Sequence, residues 1–207
     1  MKNAFFSTIP FFRRAQKSFT LVELLIVISI IAVLASLAFV GGTAAHRTAL
    51  KAETQALMTT MKVGVSSYQN EYGKFPTPQG QDEDIQFVSD KTEFKDMIAI
   101  LMGTNTTETF ENANPRQIAF CDFPNKAFEG SSSSYKIMAP RFSGDRKPIR
   151  ILLDYDYDNK ITKDAFQEMS TDTLPKEDVR GSIHLWCQGS AVKSSEMKSG
   201  DLISTWK

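Results

Sequence analysis

The sequence predicts an α+β protein in which a long N-terminal helix, apolar in its first half and amphipathic in its second, packs on a small antiparallel sheet. Three observations predict it. Residues 19–40 are apolar throughout apart from a few small hydroxyls and one carboxylate, Glu23. Leu50, Leu57, Met61, Val65, Tyr68 and Tyr72 then recur at spacings of three, four and seven residues, which places them on one helix face. Beyond residue 117, short β-prone runs alternate with turn-forming residues. A chain of 207 residues suits one modest domain with an appendage.

The apolar run comes first. At 1.5 Å per residue a helix over residues 19–40 is ~33 Å long, about the thickness of a bilayer's hydrocarbon layer. Residues 1–18 hold Lys2, Arg13, Arg14 and Lys17 with no acid, so the positive-inside rule keeps this end cytoplasmic and sends residues 41–207 across the membrane. Without those four bases, 20 basic residues face 24 acidic ones, a net charge of −4. That sign argues against a nucleic-acid partner, which needs clustered Lys and Arg.

Three readings of the segment are open. A secretory signal would be cut after a small-residue site, for which Ser36-Leu37-Ala38 could serve, but its apolar core is normally shorter. A plain single-span anchor explains length and orientation but leaves Glu23 without a purpose, and a carboxylate at a membrane-helix centre costs ~2.5–3.5 kcal/mol. The third reading gives Glu23 a charged partner.

Gly41-Gly42 cost a helix roughly 1 kcal/mol each relative to Ala, so the helix is expected to bend or loosen there and then resume. The apolar stripe from Leu50 to Tyr72 faces a sheet, while Lys51, Glu53, Gln55, Lys62 and Asn70 take the opposite face. Tyr68 and Tyr72, four apart on the core side, are packing groups rather than a ligand box. Gly73 caps the helix, and Pro76 and Pro78 prevent its continuation.

Residues 81–90 are acidic and polar, a predicted surface loop. A short helix follows over 93–102 with Phe94, Met97, Ile98 and Leu101 on one face and Gly103 at its end. Residues 104–117 are predicted as loop and the four serines 131–134 as a flexible connector. Strands are predicted over 118–122, 135–138, 149–154 and 182–187, the last with Ile183, Leu185 and Cys187 on one face.

Asp154, Asp156 and Asp158 alternate ahead of Asn159, as in the first half of an EF-hand-like loop, and such carboxylates can converge on Ca2+. Asn159 stands where that loop has its turn Gly, Ala165 is at the twelfth position and Asp164 lies one place early. The alternative is a solvated acidic turn. Cys121 and Cys187 are too few and too far apart for a zinc cluster; they are either two core thiols or a disulfide formed after export. His46 and His184 lack the flanking patterns of a nucleophile or zinc enzyme, and no phosphate-cradling Gly-rich loop is present, so no enzymatic activity is expected.

The string Lys17-Ser18-Phe19-Thr20-Leu21-Val22-Glu23-Leu24-Leu25 resembles the processing site of the type IV pilin superfamily, which includes type IV pilins and the pseudopilins of type II secretion systems. The resemblance implies a pilin-like fold, cleavage between Ser18 and Phe19, methylation of the new Phe19 amine, and retention of Glu23 as the assembly acid. The family has Gly where this chain has Ser18. A buried ammonium and a neighbouring subunit's carboxylate would neutralise each other and set the axial register.

The implied organisation is a cytoplasmic leader over 1–18, a transmembrane and assembly helix over 19–40, and a periplasmic domain over 41–207 that begins with the helix half 41–73. The implied partners are a prepilin peptidase and methyltransferase, a homopolymer with other pilins or pseudopilins, an inner-membrane assembly platform, and membrane lipid.

Residues 68–77 with Gln79-Gly80 look like the segment after the long helix of the major pseudopilin. The ending Asp201-Leu202-Ile203-Ser204-Thr205-Trp206 is similar to that protein's tail, beside which a calcium site lies; here only Asp201 is carried over. The expected function is a structural subunit of a type II secretion or related periplasmic filament. A type IV pilin for adhesion, motility or DNA uptake and a membrane-tethered periplasmic binding domain are the alternatives.

Overall fold

A computed structural model describes residues 19–77, 83–89, 91–104, 113–129, 136–142, 145–189 and 197–206. Ser18 and the rest of the leader, residues 131–134 and most of the 104–117 loop lie outside the described residues. The chain divides into two compact units, Met1–Ala44 and Ala45–Lys207. Helix α1, Leu21–Tyr72, contributes its first turns to one and its last turns to the other, with the helical assignment running through Gly41 and Gly42.

In the second unit the predicted stripe from Leu57 onward becomes the core, while Leu50 is half-buried outside it. Leu57, Met61, Val65 and Tyr68 of α1 are buried with Met58, and Tyr72 packs against them at the edge. α1 ends where expected, with Gly73 at φ 69 and its N–H donating to the Gln69 carbonyl at 2.8 Å, a left-handed cap that favours glycine. α2, Thr92–Leu101, buries Phe94, Met97, Ile98 and Leu101. It also ends in a left-handed glycine, Gly103 at φ 78.

The strands are β1 (Ile85–Val88), β2 (Phe128–Glu129), β3 (Lys136–Ile137), β4 (Arg150–Leu153), β5 (Lys160–Ile161), β6 (Val179–Arg180), β7 (Ile183–Cys187) and β8 (Ile203–Ser204). β1, β4, β7 and β8 form, in that order, an antiparallel four-stranded sheet. β2–β3 and β5–β6 are separate antiparallel pairs. The α+β architecture expected of the sequence, a long N-terminal helix packed with a small antiparallel sheet, is the one observed.

Three local expectations change. Residues 118–122 are not a strand: the chain there crosses α1, where Phe120 packs on Tyr68 and Tyr72 with ring centroids 5.5 and 6.0 Å away. The 81–90 segment is not loop throughout, since β1 pairs with β4 inside it. The 182–187 strand also buries both of its faces, not only that of Ile183, Leu185 and Cys187. Ile151, Leu153, Ile183, Leu185 and Cys187 face the α1–α2 core, and on the reverse side Leu152 and Trp186 pack with Ile161, Phe166, Met197 and Leu202.

Candidate functional site

Two places in the chain concentrate chemistry. The first is the start of α1. Every described side chain from residue 19 to 38 is exposed, including Phe19, Leu21, Leu24 and Leu37. An apolar helix bare on all sides must be covered by lipid or by other helices. Its hydroxyls are satisfied within the helix: Ser29 Oγ donates to the Ile26 carbonyl and Ser36 Oγ to the Val33 carbonyl, each at 2.7 Å. That is the condition a membrane imposes on polar groups.

Glu23 is held at the first turn. Thr20 N–H donates to Glu23 Oε2 at 2.9 Å and Thr20 Oγ1 at 2.8 Å, while Glu23 N–H donates back to Thr20 Oγ1 at 3.2 Å. Thr20-x-x-Glu23 is therefore a reciprocal capping box. The pattern is readable in the sequence, and it gives the acid a role within its own chain in addition to any role between chains. Phe19, next to this cap, is the first described residue and is exposed.

The second place is the end of the β1–β4 ladder. Ile85 pairs with Leu153, so the residues one step beyond, Asp84 and Asp154, come together across the two strands. One carboxylate oxygen each from Asp84, Asp154 and Asp156 lies within 4.8 Å of the others. At that separation a like-charge pair costs about 3 kcal/mol at an effective dielectric constant of about 20.

Backbone N–H groups orient each acid: Thr162 N donates to Asp84 Oδ2 at 2.6 Å, Asn159 N to Asp154 Oδ2 at 2.9 Å, and Asp158 N to Asp156 Oδ1 at 3.2 Å. Asn159 adopts φ 64, so it performs the left-handed turn for which the EF-hand-like pattern has Gly. Burial, and then the adjoining Asp156 carboxyl, raise the Asp154 pKa above the ordinary carboxylate range. Beside the acids is a polar cavity of about 410 Å³, lined by Glu83, Asp84, Asp156, Thr162, Asp164 and Gln167 among others.

Of the set expected from sequence, Asp154, Asp156 and Asp158, the structure brings the first two together and not the third. Asp158 turns away to its neighbour: its Oδ1 accepts the Lys160 N–H at 2.8 Å and its Oδ2 pairs with Lys160 Nζ at 3.1 Å. Asp84, 70 positions from Asp154 in the sequence and hidden in a segment read as loop, takes its place. In the tail, Asp201 is not part of this group; its Oδ2 accepts the Lys198 N–H at 3.3 Å.

The family model described as the Prokaryotic N-terminal methylation motif matches residues 13–39. The chain carries a prepilin-type signal. The match takes in Ser18, Phe19 and Glu23 and stops at residue 39, leaving the second unit outside it. Such a signal implies processing by a prepilin peptidase and assembly with pilins, and the exposed apolar helix is compatible with single-pass anchoring. No curated protein and no solved structure matches the chain.

Cys121 and Cys187, for which the sequence left a disulfide open, are both free thiols in this structure. Cys121 lies over α1, where a Cβ on Gly64 would come within 3.0 Å of its own Cβ, and Cys187 ends β7 opposite Ile203. Burial pushes the Cys121 thiol up to about 12 and raises that of Cys187 as well. His184 is buried in β7 with Nε2 against the Arg180 carbonyl at 2.9 Å and its ring edge-on to Trp206, while His46 is exposed on α1.

Proposed function

We propose that the chain is a membrane-stored structural subunit that is cut between Ser18 and Phe19 and assembled into a filament through the helix over residues 19–40. The observation that carries the reading is the prepilin-type signal over 13–39 on a helix whose described side chains from residue 19 to 38 are all exposed. Within that class we read it as closest to the major pseudopilin of a type II secretion or related periplasmic filament, on the segment after the long helix and on the tail ending in Trp206. Its work is mechanical, with no substrate turned over. The N-terminus stays cytoplasmic until processing and the second unit lies in the periplasm, as the four leader bases direct.

The capping box supplies the test, because Glu23 could act by capping its own helix or by neutralising the Phe19 ammonium of another subunit. Glu23→Gln keeps a side chain that can cap but removes the charge. Thr20→Ala removes the cap, at a cost of about 1 kcal/mol, and keeps the charge. Expressed in the native host, Glu23→Gln is expected to accumulate as processed, unassembled membrane protein, while Thr20→Ala still enters filaments. Filaments of normal abundance from Glu23→Gln would sink the assembly role. Mass spectrometry of the mature chain reads the cut directly: a methylated Phe19 start is expected, and a start at Phe39 means an ordinary secreted protein.

A further inference from the structure

We propose that Asp84, Asp154 and Asp156 form a binding site for a hard divalent cation, with Ca2+ as the favoured ion, at the open end of the β1–β4 ladder. The inference is independent of how the N-terminal helix is used. Three acidic side chains close together are common on protein surfaces without any ion, so convergence alone decides nothing. What decides it is the state of the oxygens.

Asp154 is 1% exposed, and its Oδ1 is buried without any hydrogen-bond partner; Asp84 Oδ1 is likewise buried and unpartnered. A buried carboxylate oxygen normally accepts at least one hydrogen bond, since losing water without replacement is costly. Here the second oxygen of each acid is fixed by a backbone N–H, and the first is left without a partner. Among the described residues, none of the three acids is paired with a Lys or Arg. A cation between them supplies in one step the missing partner for both orphaned oxygens and the countercharge for the cross-strand Asp84–Asp154 pair.

Ion class follows from the donors. All are carboxylate oxygens with no His or Cys among them, which selects Ca2+, Mg2+ or Mn2+ over zinc or copper. Ca2+ takes 6–8 oxygens in a flexible geometry, and the adjoining cavity, with Asp164 in its wall, leaves room for waters to complete the shell. Bound there, the ion ties the entry of β1 to the loop leaving β4, joining segments that are distant in sequence.

The full-length chain in detergent, stripped with EDTA, is the material for the test. Tyr155 and Tyr157 flank Asp156, so Tb3+ bound at the site should luminesce on tyrosine excitation and be displaced by Ca2+. A thermal melt should shift upward with CaCl2 and fall back with EDTA. Asp156→Asn, at an exposed position where the amide oxygen can still accept the Asp158 N–H, leaves folding intact and should weaken Ca2+ by about tenfold or more, as should Asp84→Asn. Displacement by MgCl2 in place of CaCl2 at equal concentration would keep the site and change the favoured ion. Tb3+ luminescence equal in the wild type and both variants, or a melt unmoved by CaCl2, overturns the proposal.

Discussion

The ring of Phe75 stacks on that of Tyr157, with centroids 5.6 Å apart and 13° between the planes. Phe75 follows the end of α1, and Tyr157 sits in the acidic loop after β4, so this contact joins the helix terminus to the loop. Tyr155 adds a second tilted contact to the same ring at 5.5 Å.

Tyr157 makes this contact from φ 58, a conformation unfavourable for any residue with a Cβ. Truncation therefore separates two effects. Tyr157→Ala loses the ring contact, worth about 1 kcal/mol beyond burial, and keeps the strained backbone. Tyr157→Gly loses the same contact but is relieved at φ > 0. Thermal melts followed by near-ultraviolet circular dichroism should rank the stabilities as wild type, then Gly, then Ala. An Ala variant as stable as the wild type would mean that the stack contributes nothing.

Asn114 governs a second junction. Its Oδ1 accepts from Tyr72 Oη at 2.8 Å and from Ile118 N at 3.1 Å, and its Nδ2 donates to the carbonyls of Ile100 at 2.9 Å and Ile118 at 2.8 Å. One fully buried amide thus satisfies α1, the end of α2 and its own loop. Asn114→Ala strands the Ile118 N–H, while the Ile100 carbonyl keeps the Gly103 N–H at 3.1 Å, and should cost about 1–3 kcal/mol, the range for one buried unpaired group. Asn114→Asp retains the acceptor but sets a carboxylate against two carbonyls. Its stability, measured by the same melts, should recover as the medium is acidified and the carboxyl regains a donor; a pH-independent deficit would count against this account.

How legible these features were depends on the distance over which each is encoded. The prepilin-type segment is contiguous, and the α1 stripe repeats every three or four residues, so both could be read locally. β1 could not: four residues with only Phe87 buried carry no alternation, and an edge strand takes its identity from β4, which lies more than 60 residues on. Ile183, Leu185 and Cys187 announced one buried face of β7, but Trp186 is buried only because Phe166, Met197 and Leu202 come from elsewhere to cover it, and His184 packs against Trp206 of the tail. The acidic cluster shows the same division. Asp154 and Asp156 are visible as an alternating pair, while the match of Asp84 to Asp154 exists only in the strand register.

His184 gives the fold a pH dependence whose sign is fixed by its tautomer. A carbonyl can only accept, so the contact with the Arg180 carbonyl places the ring proton on Nε2 and leaves Nδ1 bare, buried and without a partner. Protonating Nδ1 would bury a charged N–H with no acceptor. Burial therefore lowers the His184 pKa below its ordinary value; the Lys62 charge lowers it further and the Arg180 carbonyl opposes both. A histidine with a depressed native pKa binds its proton more readily when unfolded. Its share of stability is present above the unfolded value of about 6.5 and is lost as pH falls through the folded pKa, by about 1.4 kcal/mol for each unit of depression. Melts of the wild type and His184→Gln across pH 7.5 to 5 isolate this residue, because the other titrating groups cancel in the difference. The wild type should lose stability faster than the variant as pH falls below about 6.5. Parallel curves would show that His184 does not titrate between the folded and unfolded chain, and a wild type that gains relative to the variant would reverse the assigned sign.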